Sequence, residues 1–110
     1  MAHQDYQSIL DVTVHCAYEC EHCEDACIGS MPECARVCRD CAQICWTSGA
    51  YISRSSRFIP LILRSCIEIC EACATECEKH SENPHCQKCA DACRRAVEQY
   101  RKVATVAGVA

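Results

Sequence analysis

The sequence lacks several features that would place a chain of this size in a common functional class. It has no uninterrupted apolar run of about 18 or more residues, so no segment is long enough to span a membrane. It has no cluster of lysine or arginine, and its formal net charge of −4 argues against nucleic-acid binding. The first ten residues contain no basic segment, twin arginine or apolar run typical of an export signal. We therefore expect a cytoplasmic protein, in a compartment that keeps thiols reduced.

Aliphatic side chains are also scarce. The apolar fraction is 50% only because cysteine is counted in it, and without cysteine the core is thin for 110 residues. This length suits one domain with a modest core. We expect residues 1–110 to form that single domain.

Cysteine is the residue that the sequence has in excess, with 15 among 110 residues. Three sets follow the spacing C-x3-C-x2-C-x3-C, and a fourth lacks only its first member, where Glu82 stands. At about 100° per residue, this spacing confines each set to an arc of about 60° on one helix face. The sets are Cys16, Cys20, Cys23 and Cys27; Cys34, Cys38, Cys41 and Cys45; Cys66, Cys70, Cys73 and Cys77; and Cys86, Cys89 and Cys93.

The residues between these sets predict four helices, near residues 5–28, 32–53, 57–80 and 84–106. Gly29 is predicted to end the first helix, and Ser30 and Glu33 have the spacing of a capping box for the second. Pro32 and Pro84 suit the first positions of the second and fourth helices. Since short connections favour antiparallel neighbours, we expect an all-α fold, an up-down-up-down four-helix bundle.

The cysteines fill only half of each predicted helix. They occupy the C-terminal halves of the first and third helices and the N-terminal halves of the second and fourth. In the expected topology all four sets therefore meet at one end of the bundle, and the other end holds an ordinary core. The inward positions of that other end are Tyr6, Ile9, Thr13, Ser48, Ile52, Ile59, Leu63, Ala96 or Val97, Tyr100, and Val103 or Ala104.

Two interpretations without metal explain the cysteines less well. A disulfide framework does not suit an odd number of cysteines in a reducing compartment. In addition, i and i+4 neighbours have Cβ atoms about 5–6 Å apart, whereas a disulfide needs about 3.5–4.5 Å. Cysteine as a small apolar core residue accounts for one or two positions per helix, but not for 15 cysteines. This second interpretation does explain how protonated thiols would let the metal-free bundle fold.

Soft-metal binding explains the pattern better. Thiolates packed in a core need compensating cations, so the thiols must be protonated when empty and lose protons as metal binds. Cu(I) prefers thiolate ligands, and one monovalent ion per thiolate neutralises the core. A zinc site needs about four ligands, and Zn(Cys)4 carries negative charge into the core. The sequence therefore predicts multiple Cu(I) ions, with a zinc or general thiolate-metal buffer as an alternative.

An iron–sulfur protein for electron transfer is the alternative from another class. The spacing of Cys16, Cys20 and Cys23 matches the radical-SAM signature, but it recurs on predicted helices. The chain is also too short for a barrel of about 200 or more residues. The ferredoxin signature C-x2-C-x2-C-x3-C-P does not occur. Because no Ser-His-Asp or paired-carboxylate arrangement rises above chance, we expect a binding protein that is not an enzyme.

The repeated C-x3-C units on predicted helices resemble the bacterial copper storage proteins, and specifically their cytosolic branch. The resemblance covers about Cys16 to Cys93, and it implies a four-helix bundle, a homotetramer and a core that stores many Cu(I) ions. Cys86 is unpaired, and the aliphatic half implies a smaller store than a bundle lined with cysteine throughout. The matching pairs are Cys16/Cys20, Cys23/Cys27, Cys34/Cys38, Cys41/Cys45, Cys66/Cys70, Cys73/Cys77 and Cys89/Cys93.

Three further residues are candidate metal ligands. Met31, His80 and His85 lie in or next to the predicted turns at the cysteine end, where they would ring its opening. His15 and His22 are expected beside the cysteine face, towards neighbouring helices or solvent.

The remaining aromatic and acidic residues are given ordinary roles. Trp46, Tyr51 and Phe58 are expected in the core or in subunit contacts. The residues expected on a solvated acidic face are Glu19, Glu21, Glu24, Asp25, Glu68 and Glu71.

Overall fold

The protein is represented by a computed structural model that describes residues 6–107. Its four helices are α1 (Gln7–Cys27), α2 (Pro32–Ser53), α3 (Ile59–Glu78) and α4 (Pro84–Ala107). The predicted bounds agree with these to within two residues at every helix end.

The helices form one antiparallel bundle. The connections are short, residues 28–31, 54–58 and 79–83, so consecutive helices run in opposite directions. α1 packs against α2 and α4, and α3 packs against the same two helices, which closes a ring of four. The predicted up-down-up-down four-helix bundle is confirmed. None of the four helices in the described part of the chain is long and apolar enough to cross a membrane.

The turn between α1 and α2 is built around the carbonyl group of Cys27. Gly29 has a φ of +88°, a left-handed conformation that glycine adopts without steric cost. This turn lets the backbone N–H groups of Ser30 and Met31 both donate to the Cys27 carbonyl, at 3.1 and 2.9 Å. The predicted capping box is wrong, because Met31 is the N-cap residue and makes no side-chain cap bond. The Ser30 hydroxyl instead donates to the Cys27 carbonyl.

The connection between α2 and α3 explains why α3 begins at Ile59 and not at residue 57. Ser55 takes a positive φ of 52°, and the Ser56 N–H donates to the Tyr51 carbonyl at 3.0 Å. The Ser56 hydroxyl then accepts the Phe58 N–H at 3.0 Å. Because the Phe58 N–H is bonded to this side chain, the regular helical hydrogen bonds begin after Phe58.

The core is divided between cysteines at one end and mostly aliphatic residues at the other, as predicted. We call the end beside the turns 28–31 and 79–83 the thiol end. The other end, the aliphatic half, buries Ile9, Ile52, Ile59, Leu63 and Val97. Tyr6 and Val103 are half-buried, and the Ala104 side chain lies outside the described part.

The structure narrows one expectation about residues away from the cysteine faces, for Trp46 and Phe58, and contradicts another, for Glu19. Trp46 and Phe58 are 46% and 48% exposed, so neither is a core residue, and their role in subunit contacts stays a prediction. Trp46 instead donates its indole N–H to Glu21, at 3.0 Å. The Glu19 side chain is only 11% exposed, since it lies in the groove between α1 and α4, with its carboxylate 3.8 Å from His15 Nε2.

Candidate metal centre

All 15 cysteine side chains are free thiols with no exposed surface. Each helix presents its set to the bundle axis because the four-three-four spacing keeps the sulfurs on one face. The antiparallel arrangement then brings the four sets together at the thiol end. The sequence thus predicted both the burial of the cysteines and their common location.

The sulfur atoms form one continuous network. Every cysteine sulfur lies within 4.0 Å of at least one other. The shortest contacts join different helices, Cys41 to Cys70 at 3.5 Å and Cys16 to Cys93 at 3.6 Å. Contacts within one helix, such as Cys66 to Cys70, are 3.8–4.0 Å. No sulfur is isolated, so a metal ion bound at any point has further thiols beside it.

The network contains five groups of four thiols whose sulfurs all lie within 4.8 Å of one another. A metal ion with bonds of about 2.3 Å to four sulfurs separates those sulfurs by about 3.8 Å, which matches the observed spacing. Several cysteines belong to two groups, so neighbouring sites share ligands. The groups are Cys16, Cys20, Cys41 and Cys93; Cys16, Cys41, Cys45 and Cys70; Cys20, Cys73, Cys89 and Cys93; Cys23, Cys38, Cys77 and Cys89; and Cys23, Cys27, Cys34 and Cys86.

His85 is joined to the outermost of these groups. Its Nδ1 atom lies 3.4 Å from the Cys86 sulfur, 3.6 Å from Cys23 and 4.0 Å from Cys27. The side chain is half-buried, so it has access both to solvent and to the thiols. Of the three candidate ligands outside the cysteine sets, His85 is the one that the geometry places against sulfur.

Met31 and His80 also lie at the thiol end, but they have other partners. The Asn83 amide donates to the Met31 sulfur at 3.7 Å, which links the two turns across the opening. His80 Nε2 lies 3.2 Å from a carboxylate oxygen of Glu76, and this contact is the main cause that lowers the pKa of Glu76. We call Met31, His80 and His85 the mouth. His22, by contrast, is exposed on the outside of the bundle.

A second set of polar residues, which sequence analysis did not assign to the site, closes the inner end of the network. Thr13, Ser48 and Tyr100 have no exposed surface and lie between the cysteines and the aliphatic half. The Cys66 thiol donates to the Tyr100 oxygen at 3.7 Å, and Tyr100 also contacts the Thr13 hydroxyl. We call these three residues the polar floor. Part of the signal for them was present, since Thr13 and Ser48 lie three residues from Cys16 and Cys45 at inward positions, and Tyr100 lies at an inward position seven residues after Cys93.

Burial controls the protonation of the outer thiols. It raises the pKa of Cys27, Cys34 and Cys86 above the ordinary value, because a thiolate is poorly solvated there. Neighbouring thiolates add to the shift for Cys34 and Cys86. At the inner end, the neighbours Cys45 and Cys70 lower the pKa of Cys66, and the hydroxyls of Ser48 and Tyr100 act in the same direction. Burial raises the pKa of Tyr100 itself.

This geometry matches proteins of known structure. A solved structure described as Cu(I)-bound copper storage protein BsCsp3 superposes with a TM-score of 0.83 and 35% identity, covering 88% of this chain and 95% of that one. The metal-free copper storage protein 3 from Bacillus subtilis gives a TM-score of 0.84 and 37% identity, covering 90% and 98%.

Sequence comparison leads to the same group. The uncharacterised cysteine-rich protein YhjQ of Bacillus subtilis is 36% identical over 103 residues, which are 89% of this chain and 94% of that protein. The family model described as copper storage protein matches residues 2–105. The chain therefore belongs to the copper storage protein family.

Proposed function

We propose that this protein stores Cu(I) and lowers its free concentration by binding many ions through the thiolates of all 15 cysteines. The observation that carries this proposal is the single buried network in which every sulfur has sulfur neighbours within 4.0 Å. Such a network suits an ion that accepts few ligands and shares them with the next ion. Family membership and the Cu(I)-bound relative support the choice of copper.

The charge of the filled core separates Cu(I) from zinc. Three of the five four-thiol groups share no member, so the geometry would hold three separate tetrahedral zinc ions. Each Zn(Cys)4 unit has two net negative charges, which are costly in a core without solvent. One Cu(I) per thiolate leaves no net charge. The disjoint groups are Cys16, Cys41, Cys45 and Cys70; Cys20, Cys73, Cys89 and Cys93; and Cys23, Cys27, Cys34 and Cys86.

Copper passes through the mouth in this proposal. His85 is the first ligand, because it touches both solvent and the outermost thiols. Met31 and His80 are weaker, exchangeable ligands, each of which has to leave its present partner, Asn83 or Glu76. The aliphatic half at the other end offers few atoms that a soft cation would bind.

We further propose a cytoplasmic homotetramer that binds copper without catalysing a reaction. The family resemblance supports the tetramer. Among the side chains that the structure describes, six large hydrophobic ones at the surface, including Trp46, Phe58 and Leu61, are available for subunit contacts. Light scattering coupled to size exclusion would give the mass of the assembly, and a monomer at micromolar concentration would contradict the tetramer. Cell fractionation would test the location.

Anaerobic titration of two double variants tests the function. The unmodified chain is expected to take up on the order of one Cu(I) per cysteine, about 15 ions. Both Cys38→Ser/Cys77→Ser and Cys41→Ser/Cys73→Ser should lose about two of these ions. A zinc protein would behave differently, because the first pair leaves all three disjoint groups intact whereas the second breaks two of them.

If the thiols formed tetrahedral zinc sites, the first variant would therefore bind three zinc ions and the second would bind one. Saturation of the unmodified chain with three or four Cu(I) would refute the storage proposal. Brown protein as purified, with iron in the metal analysis, would instead establish the iron–sulfur alternative.

A further inference from the structure

The polar floor is an unusual end for a core of thiols and aliphatic side chains. Thr13, Ser48 and Tyr100 bring three hydroxyl groups into a region with no exposed surface. Valine or leucine at these three positions would have filled this part of the core without polar atoms. Because buried hydroxyls are costly unless they are hydrogen-bonded, the reason for these three lies in the groups that they contact.

The hydrogen bonds of the floor run in one direction. The Thr13 hydroxyl donates to the carbonyl of Ile9, which uses its only proton. The Tyr100 hydroxyl must therefore donate to Thr13, and the Tyr100 oxygen accepts the Cys66 S–H at 3.7 Å. In the metal-free state these three hydrogen bonds run from Cys66 through Tyr100 and Thr13 to the Ile9 carbonyl of α1, so neither hydroxyl donates its proton to the Cys66 sulfur.

Ser48 differs from the other two hydroxyls. Its Oγ atom is fully buried, and the described part of the chain gives it no hydrogen-bond partner of normal geometry. It follows Cys45 by three residues on the inward face of α2, and the Cys45 sulfur lies 3.9 Å from that of Cys66. In agreement with this placement, the Ser48 hydroxyl acts to lower the pKa of Cys66. A buried proton donor without a partner thus lies at the level of the bundle where Cys45 meets Cys66.

Cys66 is also the one cysteine of α3 that belongs to none of the five four-thiol groups. Its sulfur has Cys70 at 3.8 Å and Cys45 at 3.9 Å on the side of the network. On the other side it faces the floor. A metal-bound thiolate keeps partial negative charge and is stabilised by hydrogen bonds to its sulfur. For Cys66, the floor hydroxyls are the donors in position to supply these bonds.

We propose that Ser48 and Tyr100 are positioning residues for the deepest copper ion, which Cys45, Cys66 and Cys70 bind. This inference rests on the proposed function and adds a role for residues that are not ligands. When Cys66 loses its proton to copper, it no longer donates to Tyr100. Ser48 then donates to the sulfur, and Tyr100 turns its proton from Thr13 to the same sulfur. The floor makes this ion the most slowly released one.

Release kinetics from four single variants test the role of the floor. Protein saturated with Cu(I) would be mixed with an excess of a Cu(I)-selective chelator, and the slowest phase would be measured. Ser48→Ala and Tyr100→Phe should accelerate that phase about tenfold, the effect of one hydrogen bond to a charged group. Thr13→Val should slow it, because Tyr100 loses its acceptor and its proton is free for sulfur. Thr13→Ser keeps the hydroxyl and should match the unmodified chain.

The opposite changes in release rate expected for Ser48→Ala and Thr13→Val distinguish this role from simple packing. A packing role predicts lower thermal stability of the metal-free variants and an unchanged slowest phase, which would overturn the proposal. Acceleration by Thr13→Val as well as Ser48→Ala would overturn it too, since it indicates general loosening. Total capacity should stay unchanged in all four variants. If the unmodified chain binds no copper, the proposed function itself fails, and the floor role fails with it.

Discussion

The metal-free protein should be a stable helical bundle held mainly by its aliphatic half. Leu63 is 1% exposed, and its replacement by alanine removes about three carbon atoms from the core. At about 0.8 kcal/mol for each, plus the cavity left behind, we expect a loss of about 2.5–5 kcal/mol in the free energy of unfolding. For a chain of this length this lowers Tm by about 10–20 °C.

A cysteine at the other end should matter much less before copper is bound. Cys70→Ala removes one buried sulfur, and we expect it to cost about 1 kcal/mol in the metal-free state, similar to one methylene group. Leu61 provides the matched control, because it is a leucine on the same helix but 58% exposed. Leu61→Ala should change the free energy of unfolding by about 0.5 kcal/mol or less.

Circular dichroism during urea and thermal unfolding, with the thiols kept reduced and metal removed, measures these differences. A random-coil spectrum of the unmodified metal-free chain would refute the reasoning, because folding would then depend on metal, as in zinc fingers. Equal costs for Leu61→Ala and Leu63→Ala would refute it as well. So would a larger cost for Cys70→Ala than for Leu63→Ala.

Two further predictions concern the mouth and pH. Changing Met31, His80 and His85 together to alanine should slow Cu(I) loading or release and leave the capacity nearly unchanged. His85→Ala alone should reproduce most of the effect. Stopped-flow mixing with a Cu(I) donor measures these rates, and unaltered rates would place the mouth elsewhere. The metal-free bundle should lose stability as the pH rises above about 9. Burial raises the folded-state pKa of Cys27, Cys34 and Cys86 above that of an unfolded thiol. The contribution of these thiols to the free energy of unfolding is therefore present below the unfolded pKa and is lost as the pH rises above it. Urea midpoints at pH 7 and pH 10 check the sign, and a higher midpoint at pH 10 would contradict it.

Much of the fold followed from the sequence because one signal dominates it. The four-three-four spacing fixes both the helical period and the inward face, and Pro32 and Pro84 mark the starts of α2 and α4. The start of α3 was less well predicted, since the hydrogen bond from the Phe58 N–H to the Ser56 hydroxyl depends on how a five-residue connection closes. The capping box failed for a similar reason, because Gly29 turns the chain so that the Ser30 hydroxyl meets the Cys27 carbonyl.

The site was predictable in its ligands but not in the details between helices. Sequence spacing places the cysteines of one helix on a common face. It does not give the axial offsets between helices, and these offsets decide which sulfurs meet. The contact of His85 with Cys23 is of this kind. The pairing of His80 with Glu76 is instead a local i,i+4 contact at the end of α3. The floor was missed because Thr13 and Tyr100 are 87 positions apart, and only the packed bundle brings their hydroxyls together.

The complete burial of the cysteines also decides how the metal-free protein meets oxidants. A disulfide or an alkylating reagent has to touch sulfur, and none of the 15 sulfurs has exposed surface. Reaction must therefore wait for the helices to separate locally, and the reaction rate of each thiol measures how often its level of the bundle opens. Cys27 and Cys86, next to the turns, should be modified first, and Cys66 last. A protein with this many thiols can thus survive oxidising conditions that would crosslink the same sequence when unfolded.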